Sequence, residues 1–329
     1  GVHGGFFVNK NFIIQKSKNK ETFIKLKKHN FDTVFANDIK LESQKFWARN
    51  FPAYSENFHL GSVVDLVKKH KLNKNIFPKN VDLLTGGFPC QDFSVSGLRK
   101  GLKSHKSDKN TYEIKNKNET RGMLYSWMKE VIDITNPKVF IAENVKGLIN
   151  MEEIFEIIKN DFRNTGKGYY IYTRELYAPD YGIPQSRRRV FFIGVNIPFV
   201  ETNKINFDEN DLFPKPEFTK ENSLFDNLDR YPKASHFFSN LKEPEKENID
   251  LSQQFYSKAK FIPKHQGQTE VNENGIAPTI RSEHHGNIEF RYLKKTNGGK
   301  NNNIKDIERR LTVRECARIQ TFPDDFEFV

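Results

Sequence analysis

Cys90 is one of two cysteines in the chain, and its setting is unlike that of a structural thiol. Outside disulfides a cysteine is most often a small buried hydrophobe. This one follows an apolar run ending Gly86-Gly87-Phe88, comes directly after Pro89, and leads into the polar stretch Gln91-Asp92-Phe93-Ser94-Val95-Ser96-Gly97. A thiol in a glycine-bounded loop at the carboxyl end of a parallel strand sits where open α/β sheets place their active sites. A carboxylate and an amide close a second short apolar run, Ile141-Ala142-Glu143-Asn144-Val145. If the two runs end on one sheet edge, the thiol and the acid meet there. Such a pair suits a reaction in which a ring nitrogen is protonated while a thiolate attacks the neighbouring carbon. Arginines cluster in Gln185-Ser186-Arg187-Arg188-Arg189, just after Tyr181-Gly182-Ile183-Pro184. If Tyr169–Leu176 and Arg189–Val195 form an antiparallel hairpin, these arginines reach the same edge and can hold a carbonyl oxygen or a phosphate.

A second constellation suits a nucleoside-like ligand. Gly1-Val2-His3-Gly4-Gly5-Phe6 is glycine-rich, and Phe35-Ala36-Asn37-Asp38 closes a strand with an acid. Glycines after a first strand let a ligand approach the backbone, and an acid after the second is the usual partner of ribose hydroxyls.

Positioning these groups calls for an α/β frame. Strands are expected at Thr33–Ala36, Asp82–Phe88, Val139–Ala142 and Arg189–Val195, alternating with amphipathic stretches in the manner of a largely parallel sheet. A helix over Arg121–Thr135 places Met123, Leu124, Trp127, Met128, Val131 and Ile132 on one face and stops at Asn136-Pro137. Asn150 and Glu153 predict a cap before a helix carrying Ile154, Ile157 and Ile158. Near the end, Thr312 and Glu315 predict a capping box for a helix with Leu311, Val313, Ala317 and Ile319 as apolar positions, and Pro323 follows. The polar, aperiodic stretch Lys103–Thr120 reads as a loop insertion. After about Pro198 periodicity weakens and a second, irregular lobe is expected. The division is 1–198 for a catalytic and cofactor-binding domain, 199–306 for the second lobe, and 307–329 for a segment returning to the catalytic domain.

A chain of 329 residues can bury a full core plus a smaller lobe, and its net charge of +11 suits a polyanionic partner. Two distant cysteines in different contexts argue against a disulfide framework and a zinc site, which fits a reducing interior. No apolar run reaches the ~20 residues of a membrane span, and no signal-peptide layout opens the chain, so a soluble, cytoplasmic protein is expected.

Taken in order and spacing, Phe88-Pro89-Cys90-Gln91, Glu143-Asn144-Val145, Gln185-x-Arg187-x-Arg189 and Arg309-Arg310-Leu311-Thr312-Val313-Arg314-Glu315-Cys316-Ala317-Arg318 resemble the motifs of the bacterial DNA (cytosine-5)-methyltransferases. The resemblance runs over nearly the whole chain. It implies a Rossmann-like, SAM-dependent methyltransferase sheet of mixed strands with a small irregular target-recognition domain. It also implies S-adenosyl-L-methionine as cofactor, double-stranded DNA as partner, a monomer, and no metal. By resemblance Cys90 adds to cytosine C6, Glu143 contacts N3 and the exocyclic amine, Arg187 and Arg189 hold the base and a nearby phosphate, and Asn144 orders its strand end. Gln91, Ser94, Ser96 and Arg121 fall in what resembles the mobile catalytic loop over DNA. Arg281, in Thr279-Ile280-Arg281 ahead of His284-His285-Gly286-Asn287, falls in the recognition lobe. For the cofactor the resemblance points to Gly4, Gly5, Phe6, Asp38, Ile39, Val63, Pro89 and Leu124.

Three departures stand out. Ser62 occupies the place of the family's usual Asp, two residues rather than one separate Gly1 from Gly4, and the family's closing Gly-Asn-Ala-Val motif does not occur before Val329. A cofactor pocket incomplete at both ends is the expectation. Modification of DNA beside a restriction enzyme is the leading function. A tRNA cytosine-5 methyltransferase is the alternative, opposed by the sizeable second lobe and by the absence of Cys-Phe-Thr between Glu143 and Gln185. A catalytically impaired DNA-binding homologue is the third reading, opposed by the intact Cys90, Glu143 and Arg189.

Overall fold

Two-residue alternation builds the central sheet. Phe140, Ala142 and Asn144 are buried, whereas Val139, Ile141, Glu143 and Val145 between them are only partly so, the mark of a strand with two unlike faces. The computed structural model describes residues 7–9, 23–25, 29–88, 124–220, 228–239, 241–244, 251–256, 268–280, 288–293 and 307–328. The chain first forms β1 (Phe7–Asn9), β2 (Phe23–Lys25), β3 (Ala36–Asp38), α1 (Leu41–Asn50), β4 (Phe58–Leu60), α2 (Val63–Lys69) and β5 (Leu83–Gly87). It continues through α3 (Leu124–Thr135), β6 (Val139–Val145), α4 (Glu152–Arg163), β7 (Tyr169–Tyr177), β8 (Arg188–Asn196) and α5 (Ile197–Asn203). Shorter elements follow: β9 (Phe218–Thr219), β10 (Asp229–Arg230), α6 (Ala234–Phe238), α7 (Leu251–Gln254), β11 (Gln268–Glu270), β12 (Ile288–Leu293), β13 (Ile307–Arg310) and α8 (Val313–Ile319).

The largest sheet runs β5-β6-β8-β7. β5 and β6 are parallel, and β8 is antiparallel to both β6 and β7. A separate parallel pair joins β3 to β4. This is the mixed α/β sheet that the resemblance implies. The hairpin of β7 and β8 pairs Tyr169 with Asn196 at its open end and Tyr177 with Arg188 at its turn, so it runs one residue past the expected Leu176 and Arg189 at the turn and one past Val195 at the open end.

Two local expectations need correction. The first short strand is Ala36–Asp38 rather than Thr33–Ala36, because its partner is only three residues long and the ladder runs from Ala36↔Phe58 to Asp38↔Leu60. The Thr33 carbonyl instead accepts the Asn57 side chain at 2.6 Å. Asn150 does not cap α4. The turn begun by Lys146–Leu148 takes in Ile149 and Asn150, so Met151 occupies the N-cap position and offers no side-chain bond. The capping box at Thr312 and Glu315, by contrast, is formed in full.

Both faces of the sheet are covered. On one, Phe140 and Phe192 of the sheet pack with Ile132 of α3 and Ile158 and Phe162 of α4, all completely buried and each worth roughly 1.5–3 kcal/mol of apolar burial. Gly194 lies opposite Phe140 in the β6–β8 ladder, and a Cβ there would stand 2.0 Å from the Phe140 ring. On the other face, Ile193 and Val195 pack with Val139, Ile141, Val200, Phe207, Leu212 and Phe213. α3 is apolar on two sides, since Met128 and Ile132 face the sheet while Trp127 and Val131 meet Leu66, Val67 and Phe77.

The last segment is tied down by buried arginines. Arg309 makes two 2.8 Å bonds to the Glu315 carboxylate and a third to Glu243. Arg314 reaches Ser252 at 2.9 Å and the Phe326 carbonyl at 2.9 Å. Arg318 grips Asp324 with two bonds and donates to the Phe237 and Ser239 carbonyls. Beyond α8 the chain lands on α1, where Asn50 exchanges two 2.9 Å bonds with the Glu327 backbone and Phe326 packs on Phe46 and Phe51. Among the described residues no helix is long and apolar enough to cross a membrane.

Candidate active site

Strand register brings the acid and the arginines together. Gly87 pairs with Glu143 in the parallel ladder, and Val145 pairs with Arg189 in the antiparallel one, so β5 and β6 end where β8 begins. Alternation turns Glu143 and Arg189 to the same face. Glu143 Oε1 forms an ion pair with Arg189 Nε at 2.8 Å and lies 3.6 Å from Arg187 Nη2. Its Oε2 looks toward β5, 3.5 Å from where a Cβ at Gly87 would stand. The Glu143 and Arg187 side chains keep about a third of their surface, 34% and 35%, so the cluster is open to a ligand. Burial, reinforced by the charge of Arg189, draws the Arg187 guanidinium below its usual value, with Glu143 pulling the other way. Arg188 faces the opposite side of the sheet, pairs with Glu175 at 2.9 Å and stacks on Tyr177 at 4.0 Å. Burial raises the Glu175 carboxyl, but bonds from Arg188 and Lys146 outweigh it and hold it below the ordinary range.

Asn144 ties the two parallel strands together past their ends. Its Nδ2 donates to the Phe88 carbonyl at 3.2 Å and its Oδ1 accepts the Val145 N–H at 2.8 Å. Phe88 is buried and sits two residues before Cys90. Cys90 itself lies outside the described residues, as do Pro89, Gln91, Ser94, Ser96, Arg121, Arg281, Gly4, Gly5 and Phe6, and the expected loop insertion at 103–120.

Three of the other expected ligand contacts, Asp38, Ile39 and Val63, lie at or just after the ends of β3 and β4. Asn37 donates to the His59 and Gly61 carbonyls at 2.7 and 2.9 Å, fixing the turn between β4 and α2. Asp38 Oδ1 accepts the Lys40 N–H at 2.8 Å. Ile39 and Leu60 are exposed apolar side chains, and Gly61, at φ +147°, has open space where a side chain would stand. Ser62 is the N-cap residue of α2 without a side-chain bond to the helix, and Val63 opens that helix. Leu124 is the first residue of α3. A carboxylate beside exposed aliphatic side chains and an open glycine suits an adenosine, which offers ribose hydroxyls and a flat apolar ring.

With this geometry in place, the comparisons with known proteins are decisive. The C-5 cytosine-specific DNA methylase pattern matches residues 21–329.

The chain belongs to that family.

It is 30% identical over 299 residues to the Type II methyltransferase M.NgoFVII of Neisseria gonorrhoeae, spanning 86% of this chain and 72% of that one. It is 29% identical to the Type II methyltransferase M.BbvI of Brevibacillus brevis, spanning 91% and 75%. Among solved structures, the methyltransferase EhMeth of Entamoeba histolytica superposes with a TM-score of 0.51 at 17% identity, over 91% of this chain and 81% of that one. That likeness is one of fold alone.

Sequence reasoning quoted Gln185 and Asn37 within motifs but assigned no role to either, nor to Leu60. Gln185 is 1% exposed and pairs as a single β-bridge with Ala277, a contact across more than ninety residues that no local pattern announces. Leu60 carries a faint signal, as an apolar residue next to Gly61 at the end of a strand.

Proposed function

We propose that the protein, as a monomer, transfers a methyl group to C5 of a flipped-out cytosine within a short duplex DNA sequence, as the modification partner of a restriction system. The observation that carries this reading is the Glu143–Arg189–Arg187 cluster at the sheet edge from which β5 delivers Cys90, in a chain of the cytosine-5 methylase family. Type II methyltransferases among its relatives favour DNA over tRNA as substrate.

Cytosine C5 is not nucleophilic in the intact ring. In this reading the Cys90 thiolate adds to C6 while Glu143 delivers a proton to N3, which turns C5 into the carbon of an enamine. Glu143 Oε1 is held by Arg189, leaving Oε2 on the β5 side to meet the base. Arg187 and Arg189 hold the O2 carbonyl and an adjoining phosphate, with the charged fork suited to both. Reaching C6 inside a stacked duplex is impossible, so the base leaves the helix. S-adenosyl-L-methionine, when bound, supplies an electrophilic methyl group. Asp38 would take its ribose hydroxyls, Ile39 and Val63 its adenine, and Gly4, Gly5, Phe6, Pro89 and Leu124 its methionine end. Once C5 carries the methyl group, loss of the C5 proton restores the double bond and expels Cys90. Gln91, Ser94, Ser96 and Arg121 would contact the DNA backbone. Residues 199–306 would read sequence through Arg281 and its neighbours, with 307–329 returning to the catalytic domain.

Transfer of labelled methyl groups to DNA tests this reading. The full-length protein should label DNA, and Cys90→Ala should abolish labelling while leaving DNA binding in place. Undiminished transfer by Cys90→Ala would remove the thiol from the mechanism.

A further inference from the structure

Arg187 lies one residue before β8, so the ladder that fixes Arg189 does not include it. Its carbonyl accepts the Ala178 N–H at 2.9 Å, and its own N–H turns back onto the Gln185 carbonyl at 2.7 Å. The residues just before it are gripped from the recognition side. Ala277 donates its N–H to the Pro184 carbonyl and accepts the Ser186 N–H, each at 2.8 Å, in a lone parallel bridge. The Thr279 hydroxyl donates to the Ser186 carbonyl. Ala277 is itself immobilised, fully buried in a cluster with Ala234, Phe238, Val271, Leu311 and Ile319. At the middle of this seam Gln185 is 1% exposed, and its Oε1 has no hydrogen-bond partner among the described residues. A buried amide oxygen left unpaired destabilises, and an aliphatic side chain of the same size would avoid that cost, so the amide calls for a reason other than stability.

We propose that this seam couples sequence reading to catalysis: Thr279 and Gln185 are positioning residues that set Arg187 from the recognition lobe. The inference rests on the function proposed above and deepens it. Thr279 precedes Arg281 by two residues, so the stretch expected to read bases and the hydroxyl that holds Ser186 share one short run of backbone. The path runs from the buried lobe core through Ala277 and Ser186 to Arg187, and from there 3.6 Å to the Glu143 carboxylate. A lobe that is not seated on its cognate sequence shifts the seam and displaces a guanidinium, without releasing the DNA. Discrimination between sequences then falls on kcat more than on KM.

Thr279→Val keeps the side-chain shape and removes only the donor. With saturating cognate DNA, methyl transfer should slow by roughly ten-fold while KM for DNA stays within about two-fold, and Thr279→Ser should restore the rate. Gln185→Leu should slow transfer with the melting temperature unchanged or higher. In the DNA-free protein the Arg187 side-chain NMR resonance, assigned by its loss in Arg187→Lys, should move in Thr279→Val. A wild-type rate in Thr279→Val, an unmoved Arg187 resonance, or a rate loss that Thr279→Ser does not restore overturns the coupling. Parallel loss of rate and melting temperature in Gln185→Leu reduces Gln185 to a structural part and overturns its positioning role. If the wild-type protein itself methylates no DNA, the proposed function fails, while the Arg187 resonance still decides the seam.

Discussion

Glu143 gives one carboxylate oxygen to two arginines and turns the other toward the strand that leads to Cys90. That division assigns separable consequences to its neighbours. Glu143→Gln keeps the shape but removes the acid, and methyl transfer should fall by about 10²–10⁴-fold with DNA binding preserved, as single-turnover kinetics would show. Arg189 pairs with the carboxylate at 2.8 Å and Arg187 stands 3.6 Å away, so Arg189→Ala should lower kcat/KM by about ten-fold more than Arg187→Ala. Equal losses in the two would argue against Arg189 as the residue that orients Glu143. At this scale the sequence is informative because residue type and strand-end position together restrict the chemistry: a thiol, an acid and paired arginines each close or open an apolar run. Gln185 escaped the same logic. Nothing near it in sequence tells that its neighbours bond Ala277, since that contact depends on how a distant segment folds back.

Elements fix where those residues stand, and their weak points are specific. Gly194 allows the Phe140 ring to lie against β8, so Gly194→Ala should destabilise the protein by about 2–3 kcal/mol or more in urea unfolding, with an unchanged site if it folds. α3 is joined to α4 by the Tyr125 hydroxyl, which donates to Asp161 at 2.9 Å. Burial, and then that bond, push the Tyr125 phenol from 10.0 up to about 12. A folded value above the unfolded one means that the contribution to stability is whole below pH 10 and is lost as pH rises through about 12. Thermal melts of Tyr125→Phe should therefore decline less steeply across that window than those of the parent protein. Strands with a clear apolar run, such as Asp82–Phe88, were legible to within a residue or two of the observed β5. The one expected at Thr33–Ala36 was not, because its span is dictated by a three-residue partner at Phe58–Leu60 rather than by its own composition. The same holds for the cap expected at Asn150, which a preceding turn displaced.

At the scale of the molecule, the α/β frame follows from alternation and the mixed sheet from a single hairpin, both readable in sequence. The chain after about Pro198 was readable only as an absence of period, because its order comes from long-range ties. Buried arginines of the last segment bond Glu243, Ser252 and Ser239, so Glu315→Ala, which leaves Arg309 with Glu243 as its one remaining carboxylate partner, should cost about 3 kcal/mol and loosen that region first in hydrogen exchange. The net charge of +11 fits a polyanionic substrate, and DNA affinity should fall steeply as salt rises. The central claim is covalent: Cys90 bonds to C6 of an extruded cytosine and is released only when the C5 proton leaves. Duplex DNA carrying 5-fluorocytosine at the target position has no such proton. With S-adenosylmethionine present, the full-length protein should form a denaturation-resistant adduct on that DNA through Cys90, identified by peptide mass spectrometry. An active protein that gives no adduct, or one linked through another residue, would contradict the account.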